Sequence, residues 1–120
     1  MPGSHYWHAG MSFINLYIGD AEDPKFQWEG GSYTANIPKI LVEFPIITFR
    51  GWSKAIDLLK NLYGGKTLDW GASGALMNKA NIAACLALLD EGDWWVKASL
   101  EKLKVLEDGK IYVLFACESG

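Results

Sequence analysis

Apolar residues are most concentrated over residues 73–90, a stretch without proline that is filled mainly by alanine, leucine and methionine. These residue types are strong helix formers. From Ile82 onward, apolar side chains surround nearly the whole circumference of such a helix, which indicates burial against several partners. The pattern therefore predicts a buried central helix from about Ser73, a candidate N-cap, to Asp90. Polar residues interrupt its first half, so the run is unsuited to crossing a membrane.

Strand patterns occur near both ends of the chain. Residues 12–18 alternate, with aliphatic side chains on one face. Residues 110–117 are apolar on both faces, which is typical of a strand inside a sheet that is covered by helices. Residues 25–29 alternate more briefly, and they predict a further strand that pairs with the first in a hairpin.

Residues 37–44 fit two kinds of element. Apolar residues three and four positions apart define one helix face, Asn36 can cap its start, and Pro45 would end it. The competing interpretation is a strand through residues 39–49. The helical spacing is the better match, so a short helix is predicted here.

Two further helices are predicted from the residues that end them. The helix predicted over residues 54–63 ends at a glycine pair that begins with Gly64, where glycine takes the left-handed conformation. Residues 99–108 stop at Gly109, although the Asp-Gly pair is also a good type I′ hairpin turn. The helix is preferred over the hairpin, and residues 66–72 are predicted to form a loop.

Together these elements predict one small α+β domain. Its terminal strands lie side by side in a mainly antiparallel sheet, and three or four helices cover that sheet. A length of 120 residues fits one domain. We assign residues 11–120 to the domain and expect residues 1–10 to be a tag or an upstream extension.

Charge and cysteine content narrow the functional classes. The net charge is −3 and Arg50 is the sole arginine, which counts against nucleic-acid binding, although an acidic domain can still carry a local basic face. Cys85 and Cys117 lie in apolar segments, which is typical of reduced, buried thiols. We expect a cytoplasmic protein with no nucleic-acid or membrane partner.

Few residues are suited to catalysis. The two histidines, His5 and His8, lie before the predicted domain, so residues 11–120 hold no Ser-His or Cys-His nucleophile pair. No histidines and cysteines have the spacing of a metal site, and we expect neither a metal nor another cofactor. An enzyme that uses carboxylates alone stays open, but a non-enzymatic protein is favoured.

Tryptophan is over-represented, with six residues in the chain. Large aromatic residues at the ends of elements commonly close a core, which is the plain interpretation. The alternative is a binding surface at the two ends of the central helix, because adjacent residues such as Trp94 and Trp95 cannot easily both point inward. The predicted ligand or partner contacts are Trp70, Ser73, Asp93, Trp94 and Trp95.

A second hypothesis places an aromatic pocket near the start of the central helix. Trp52, Tyr63 and Trp70 would line it, and a small molecule would be the ligand.

Two motifs carry a resemblance to a protein class. The Tyr-Thr-Ala-Asn sequence that begins at Tyr33 precedes the predicted short helix. Trp70-Gly71 then leads into the long Ala- and Leu-rich helix, which a Gly-Asp-Trp turn beginning at Gly92 follows. Over residues 32–95 this outline resembles small uncharacterised proteins of phages and integron gene cassettes. The resemblance implies an accessory protein of a mobile element and supplies no catalytic residues.

The resulting functional expectation is a non-enzymatic protein-interaction module of the immunity, inhibitor or adaptor type. Its partner would be another protein or a second copy of itself in a homodimer. The alternative is the small-molecule binding domain with the aromatic pocket.

Overall fold

A computed structural model describes residues 12–29, 32–33, 38–48, 58–62, 64–68, 72–90 and 100–119. Within them, seven strands form one sheet in the order β2-β3-β5-β6-β7-β1-β4. The strands are β1 (Ser12–Asp20), β2 (Trp28–Glu29), β3 (Ser32–Tyr33), β4 (Ile40–Thr48), β5 (Lys66–Leu68), β6 (Ser73–Asn78) and β7 (Ile111–Ser119). The helical elements are a π-helix (Leu58–Leu62), α1 (Lys79–Asp90) and a 3-10 helix (Leu103–Val105).

The four longest strands, β6, β7, β1 and β4, form a continuous antiparallel sheet. The two terminal strands lie side by side, as predicted. β1 pairs with β7 along its length, from the pair Phe13–Ser119 to the pair Asp20–Tyr112. Only the short β3–β5 pair is parallel within the described sheet. The molecule is thus a small compact α+β domain, with a Cα radius of gyration of 14.5 Å.

The central helix begins later than the sequence predicts. Residues 73–78 form strand β6, and α1 starts at Lys79. β6 is bound on one side by β7 and on the other by β5, and these backbone partners outweigh the helix propensity of its alanine, leucine and methionine. Burial of α1 is also one-sided rather than all-round, because Leu88 is 46% exposed.

The predicted helix over residues 37–44 is wrong, and the competing strand is correct. Val42 and Phe44 of β4 are buried, while Glu43 and Pro45 between and after them are exposed. This alternation has the period of a strand. β4 pairs with β1 alone in the described sheet, and proline is tolerated at such an edge.

Two predictions for the middle of the chain also need correction. The strand within residues 25–29 is confined to β2, and it pairs with β3 rather than with β1. Part of the predicted loop over residues 66–72 is strand β5. The π-helix lies inside the predicted helix of residues 54–63, whose other residues lie outside the described part of the chain.

One of the two predicted glycine stops is confirmed. Gly64 follows the π-helix with φ +65°. Gly109 also has a positive φ, +82°, but it lies in a turn, because the helical segment already ends at Val105 with Leu106 in an extended conformation. Residues 100–102 are α-helical and continue into the 3-10 helix. The helix is therefore correct and the hairpin alternative at Gly109 is wrong, while β7 confirms the strand predicted over residues 110–117.

One face of the sheet, here the inner face, carries the main core. Side chains of α1, the π-helix and the 3-10 segment pack against alternate residues of the four long strands. The apolar character of this contact makes it the main source of hydrophobic stabilisation. Its buried members are Ile14, Leu16, Ile18, Val42, Phe44, Leu59, Ala75, Met77, Ile82, Cys85, Leu86, Leu103, Leu106, Tyr112, Leu114 and Ala116.

The opposite face, here the outer face, holds a smaller core. Val113 and Phe115 of β7 are buried there together with Ala72, and Tyr17 and Phe26 pack against them. The Tyr17 and Phe115 rings stack with a centroid distance of 5.2 Å. No helix within the described ranges is long and apolar enough to cross a membrane.

Candidate functional site

Most of the predicted contact residues lie outside the described part of the chain. This holds for Trp70, Asp93, Trp94 and Trp95. The pocket hypothesis is in the same position, because Trp52 and Tyr63 are also outside it. Both hypotheses therefore stay predictions.

Ser73 is the one predicted contact residue that the structure describes, and its surroundings differ from the expectation. Ser73 is 5% exposed and lies in β6, opposite Ala116 on one side and Thr67 on the other. It does not cap a helix, so the predicted free N–H groups of a helix start are not present at this position. Ser73 instead belongs to the interior of the sheet.

At the true start of α1, a side chain accepts a hydrogen bond from one of the unpaired backbone N–H groups. The Asn78 Oδ1 atom accepts a hydrogen bond of 2.8 Å from the backbone N–H of Asn81. This is the geometry of an asparagine N-cap, which occupies one of the unpaired donors of the first turn. The Lys79 ammonium also donates to the carbonyl of Leu106 at 3.4 Å, and this contact ties α1 to the end of the 3-10 helix.

The outer face carries two exposed aliphatic side chains that are neighbours in the described sheet. Leu76 of β6 lies opposite Val113 of β7, and Ile111 precedes Val113 by two residues on the same face. Val113 is buried, whereas Leu76 is 41% exposed and Ile111 is 47% exposed. We call these three residues the outer patch. Two large aliphatic side chains thus remain partly in water on either side of a buried valine.

Charged residues lie at the end of the sheet where β7 begins, on the side of the inner face. Lys110, which precedes Ile111, has its ammonium 4.0 Å from the Asp20 carboxylate and 3.9 Å from that of Glu22. The Lys110 ammonium also lies 5.5 Å from the centre of the ring of Tyr112, a residue of the inner core. These charges therefore belong to the face opposite the outer patch.

A second charged contact fixes the turn that follows β1. The Asp23 carboxylate accepts the backbone N–H of Lys25 at 2.9 Å and that of Lys39 at 2.7 Å. These two hydrogen bonds hold the pKa of Asp23 below its ordinary value of 3.8. The turn is thereby attached to the start of β4.

Neither thiol is suited to nucleophilic chemistry. Cys85 and Cys117 are free, and Cys85 is buried as predicted while Cys117 is partly exposed. Burial raises the pKa of each thiol to about 11, so both are protonated at neutral pH. The thiolate is the reactive form, and this environment suppresses it.

Among the described residues, no group of three or more His, Cys, Asp and Glu side chains is placed to hold a metal ion. Comparison with known protein families, curated proteins and solved structures found no match for this chain.

The outer patch was missed by sequence reasoning. Residues 110–117 are apolar on both faces, and this pattern predicted a strand covered on both sides. The cover is incomplete at Ile111. Leu76 was assigned to a helix, so its position on a sheet face could not be anticipated. The available signal was Asn78, a strong N-cap residue that places Leu76 before the helix rather than inside it.

Proposed function

We propose that this chain is a non-enzymatic protein-interaction module that binds its partner through the outer patch. The observation that carries the proposal is the adjacency of Leu76 and Ile111, two large aliphatic side chains exposed on the face opposite α1. Single exposed aliphatic residues are normal on protein surfaces. Two that are neighbours on one sheet face are a stronger indication of recognition.

The proposal extends to the biological class. The resemblance over residues 32–95 supports an accessory protein of a mobile element, of the immunity, inhibitor or adaptor type. The partner would be another protein or a second copy of this chain, and the net charge of −3 favours a protein over a nucleic acid. We also propose a cytoplasmic location and a layer of three or four helices over the inner face, with α1 at its centre.

Trp94, Trp95 and Asp93 form the second part of this proposal. Adjacent aromatic residues after a helix are suited to a binding surface because tryptophan is enriched where interfaces are strongest. They supply a contact independent of the outer patch. Replacing both tryptophans by alanine would show whether binding needs them.

The test uses variants with a matched control on another surface. Leu76→Asp places a charge in the outer patch, and Leu88→Asp places one at a residue of similar exposure, 46%, on α1. Self-association is measured by light scattering coupled to gel filtration over a wide concentration range. Binding to the product of the neighbouring gene is measured by calorimetry, and circular dichroism checks that each variant is folded.

We expect Leu76→Asp to weaken the association at least tenfold and Leu88→Asp to leave it within twofold of the wild type. Equal affinities for wild type and Leu76→Asp would remove the outer patch from the interface. A protein that stays monomeric at all concentrations and binds no neighbouring gene product would contradict the interaction module itself.

A further inference from the structure

Strand β4 forms one edge of the described sheet, with β1 as its single strand neighbour. It is nine residues long, from Ile40 to Thr48. A long edge strand presents backbone N–H and C=O groups to any other extended chain, including a second copy of the same protein. The β4 edge is therefore open to such pairing unless some of its backbone groups are blocked.

Hydrogen bonding fixes which backbone groups of β4 point outward. The Glu43 carbonyl accepts a hydrogen bond of 2.9 Å from the Lys102 ammonium, so the backbone groups of Glu43 point away from β1. Phe44, opposite Leu16 in the register, then directs its backbone groups toward β1. Direction alternates along a strand, so the backbone groups of residues 43 and 45 point away from β1.

Pro45 is one of these outward positions. Proline has no backbone N–H, so the open edge lacks a donor at this point. The β1–β4 ladder loses nothing, because Pro45 does not face β1. A strand approaching from the open side would leave one of its own carbonyls unpaired opposite Pro45.

Lys102 covers the other outward position. Its ammonium donates to the Glu43 carbonyl at 2.9 Å, although the two residues are 59 positions apart in the chain. The same ammonium lies 5.3 Å from the centre of the Phe44 ring. The acceptor that an incoming strand would use first is thus already occupied, and a positive charge stands beside it.

The opposite end of the described sheet differs. The last described strand there, β2, comprises Trp28 and Glu29. Of the two edges of the described sheet, β4 presents the longer run of strand backbone, and it carries both features.

We propose that Lys102 and Pro45 close the β4 edge against strand addition by a second copy of this chain. Assembly of the protein then uses a surface other than this edge. The inference is independent of the proposed function, because it concerns a surface that does not include the outer patch.

The test removes the two protective features of the β4 edge, first one at a time and then together. Lys102→Met keeps an unbranched apolar side chain over Phe44 and removes the donor and the charge. Pro45→Val restores the N–H and suits a strand. Lys104→Met is the control for net charge, because the ammonium of Lys104 pairs with Glu101 on an exposed surface. Each variant is also made with Leu76→Asp, so that association through the outer patch is removed.

Sedimentation velocity over a hundredfold concentration range measures association, and amide hydrogen exchange locates it. We expect the double variant Lys102→Met with Pro45→Val to associate at least tenfold more tightly than the wild type. Its amides at residues 43, 45 and 47 should become protected as concentration rises. Lys102→Met alone should show a smaller increase, and Lys104→Met none.

An oligomeric state of the double variant equal to that of the wild type would overturn the proposal. So would equal association in Lys102→Met and Lys104→Met, which would indicate a net-charge effect. If the double variant fails to fold, Lys102→Met alone decides: unchanged association and unchanged exchange at residue 43 would contradict the role of the lysine.

Discussion

The two faces of the sheet are covered by different kinds of structure. On the inner face, α1 inserts Ile82, Cys85 and Leu86 into a continuous apolar layer contributed by the four long strands. On the outer face, irregular chain provides the cover, since Pro38 lies over Gly19 and Phe26 packs near Phe115. The inner cover is regular and continuous, whereas the outer cover leaves Leu76 and Ile111 partly exposed.

This difference separates the face that supplies most of the stability from the face on which we propose recognition. A helix buries a whole stripe of side chains at once, so the inner face can supply most of the hydrophobic free energy. The chain around Phe26 and Pro38, here the crossing segment, covers only the positions that it reaches. The part of the outer face that the described residues leave uncovered is where we propose that a partner binds.

The largest effect is expected on the inner face. Leu86→Ala removes a fully buried side chain of α1 and leaves a cavity against the sheet. The free energy of unfolding should fall by about 2–5 kcal/mol, measured by urea denaturation. Leu88→Ala, on the exposed side of the same helix, should change it by less than about 1 kcal/mol. Equal losses in the two variants would contradict the one-sided burial of α1.

A smaller effect is expected where the crossing segment meets the outer face. A β-carbon added at Gly19 would lie 3.0 Å from Pro38 Cγ, 3.1 Å from Val113 Cγ1 and 3.3 Å from Phe115 Cε1. Gly19→Ala should therefore lower the free energy of unfolding by about 1–3 kcal/mol, through overpacking. Thermal or urea unfolding measures the loss.

A substitution of Pro38 tests whether Pro38 is the residue that a β-carbon at position 19 would contact. Pro38→Ala removes the nearest atom, so the two substitutions combined should cost less than the sum of the separate losses. Strict additivity would show that Pro38 is not the residue against which the new methyl group is packed.

The smallest effect is expected at the turn that attaches the crossing segment to β4. Asp23→Ala removes the acceptor for the Lys25 and Lys39 N–H groups and should destabilise the protein less than Gly19→Ala does. The pKa of Asp23 is lowered by folding, so its contribution is present above pH 3.8 and is lost as the pH falls through the folded-state pKa. The stability difference between wild type and variant should accordingly shrink below pH 3.8.

Denaturation at a series of pH values checks this dependence. Glu22→Ala is the control, because it leaves both N–H groups bonded to Asp23. A wild-type advantage over Asp23→Ala that stays constant down to pH 2 would show that the carboxylate charge is not involved.

Local signals predicted a substantial part of the fold. β1 and β7 are strands by alternation and by two-sided apolar character, and each is close to its predicted range. Gly64 follows the π-helix and Gly109 forms a turn before β7, both with positive φ, which glycine adopts without strain. These features depend on residues that are neighbours in the chain, so the sequence displays them directly.

The errors fall where a distant partner decides the local structure. Over residues 73–78, helix-forming residues become strand β6 because β7 pairs with the whole segment and β5 pairs with its first two residues. Ser73 therefore changed from a predicted helix cap to a buried sheet residue. Of the predicted sites, Ser73 is the one that the structure tests, and the tryptophan surface and the aromatic pocket stay predictions.

What the amino-acid sequence determined by itself is the class of the protein: one α+β domain, with strands near both ends and a helix that finishes at Asp90. Only the tertiary structure decided the register of the sheet, and with it which strand residues are exposed. A strand turns alternate side chains to opposite faces, so the exposure of Leu76, the outward direction of Pro45 and the contact of Lys102 with Glu43 depend on which strands are paired. Pairing joins residues far apart in the chain, and no local pattern contains that information.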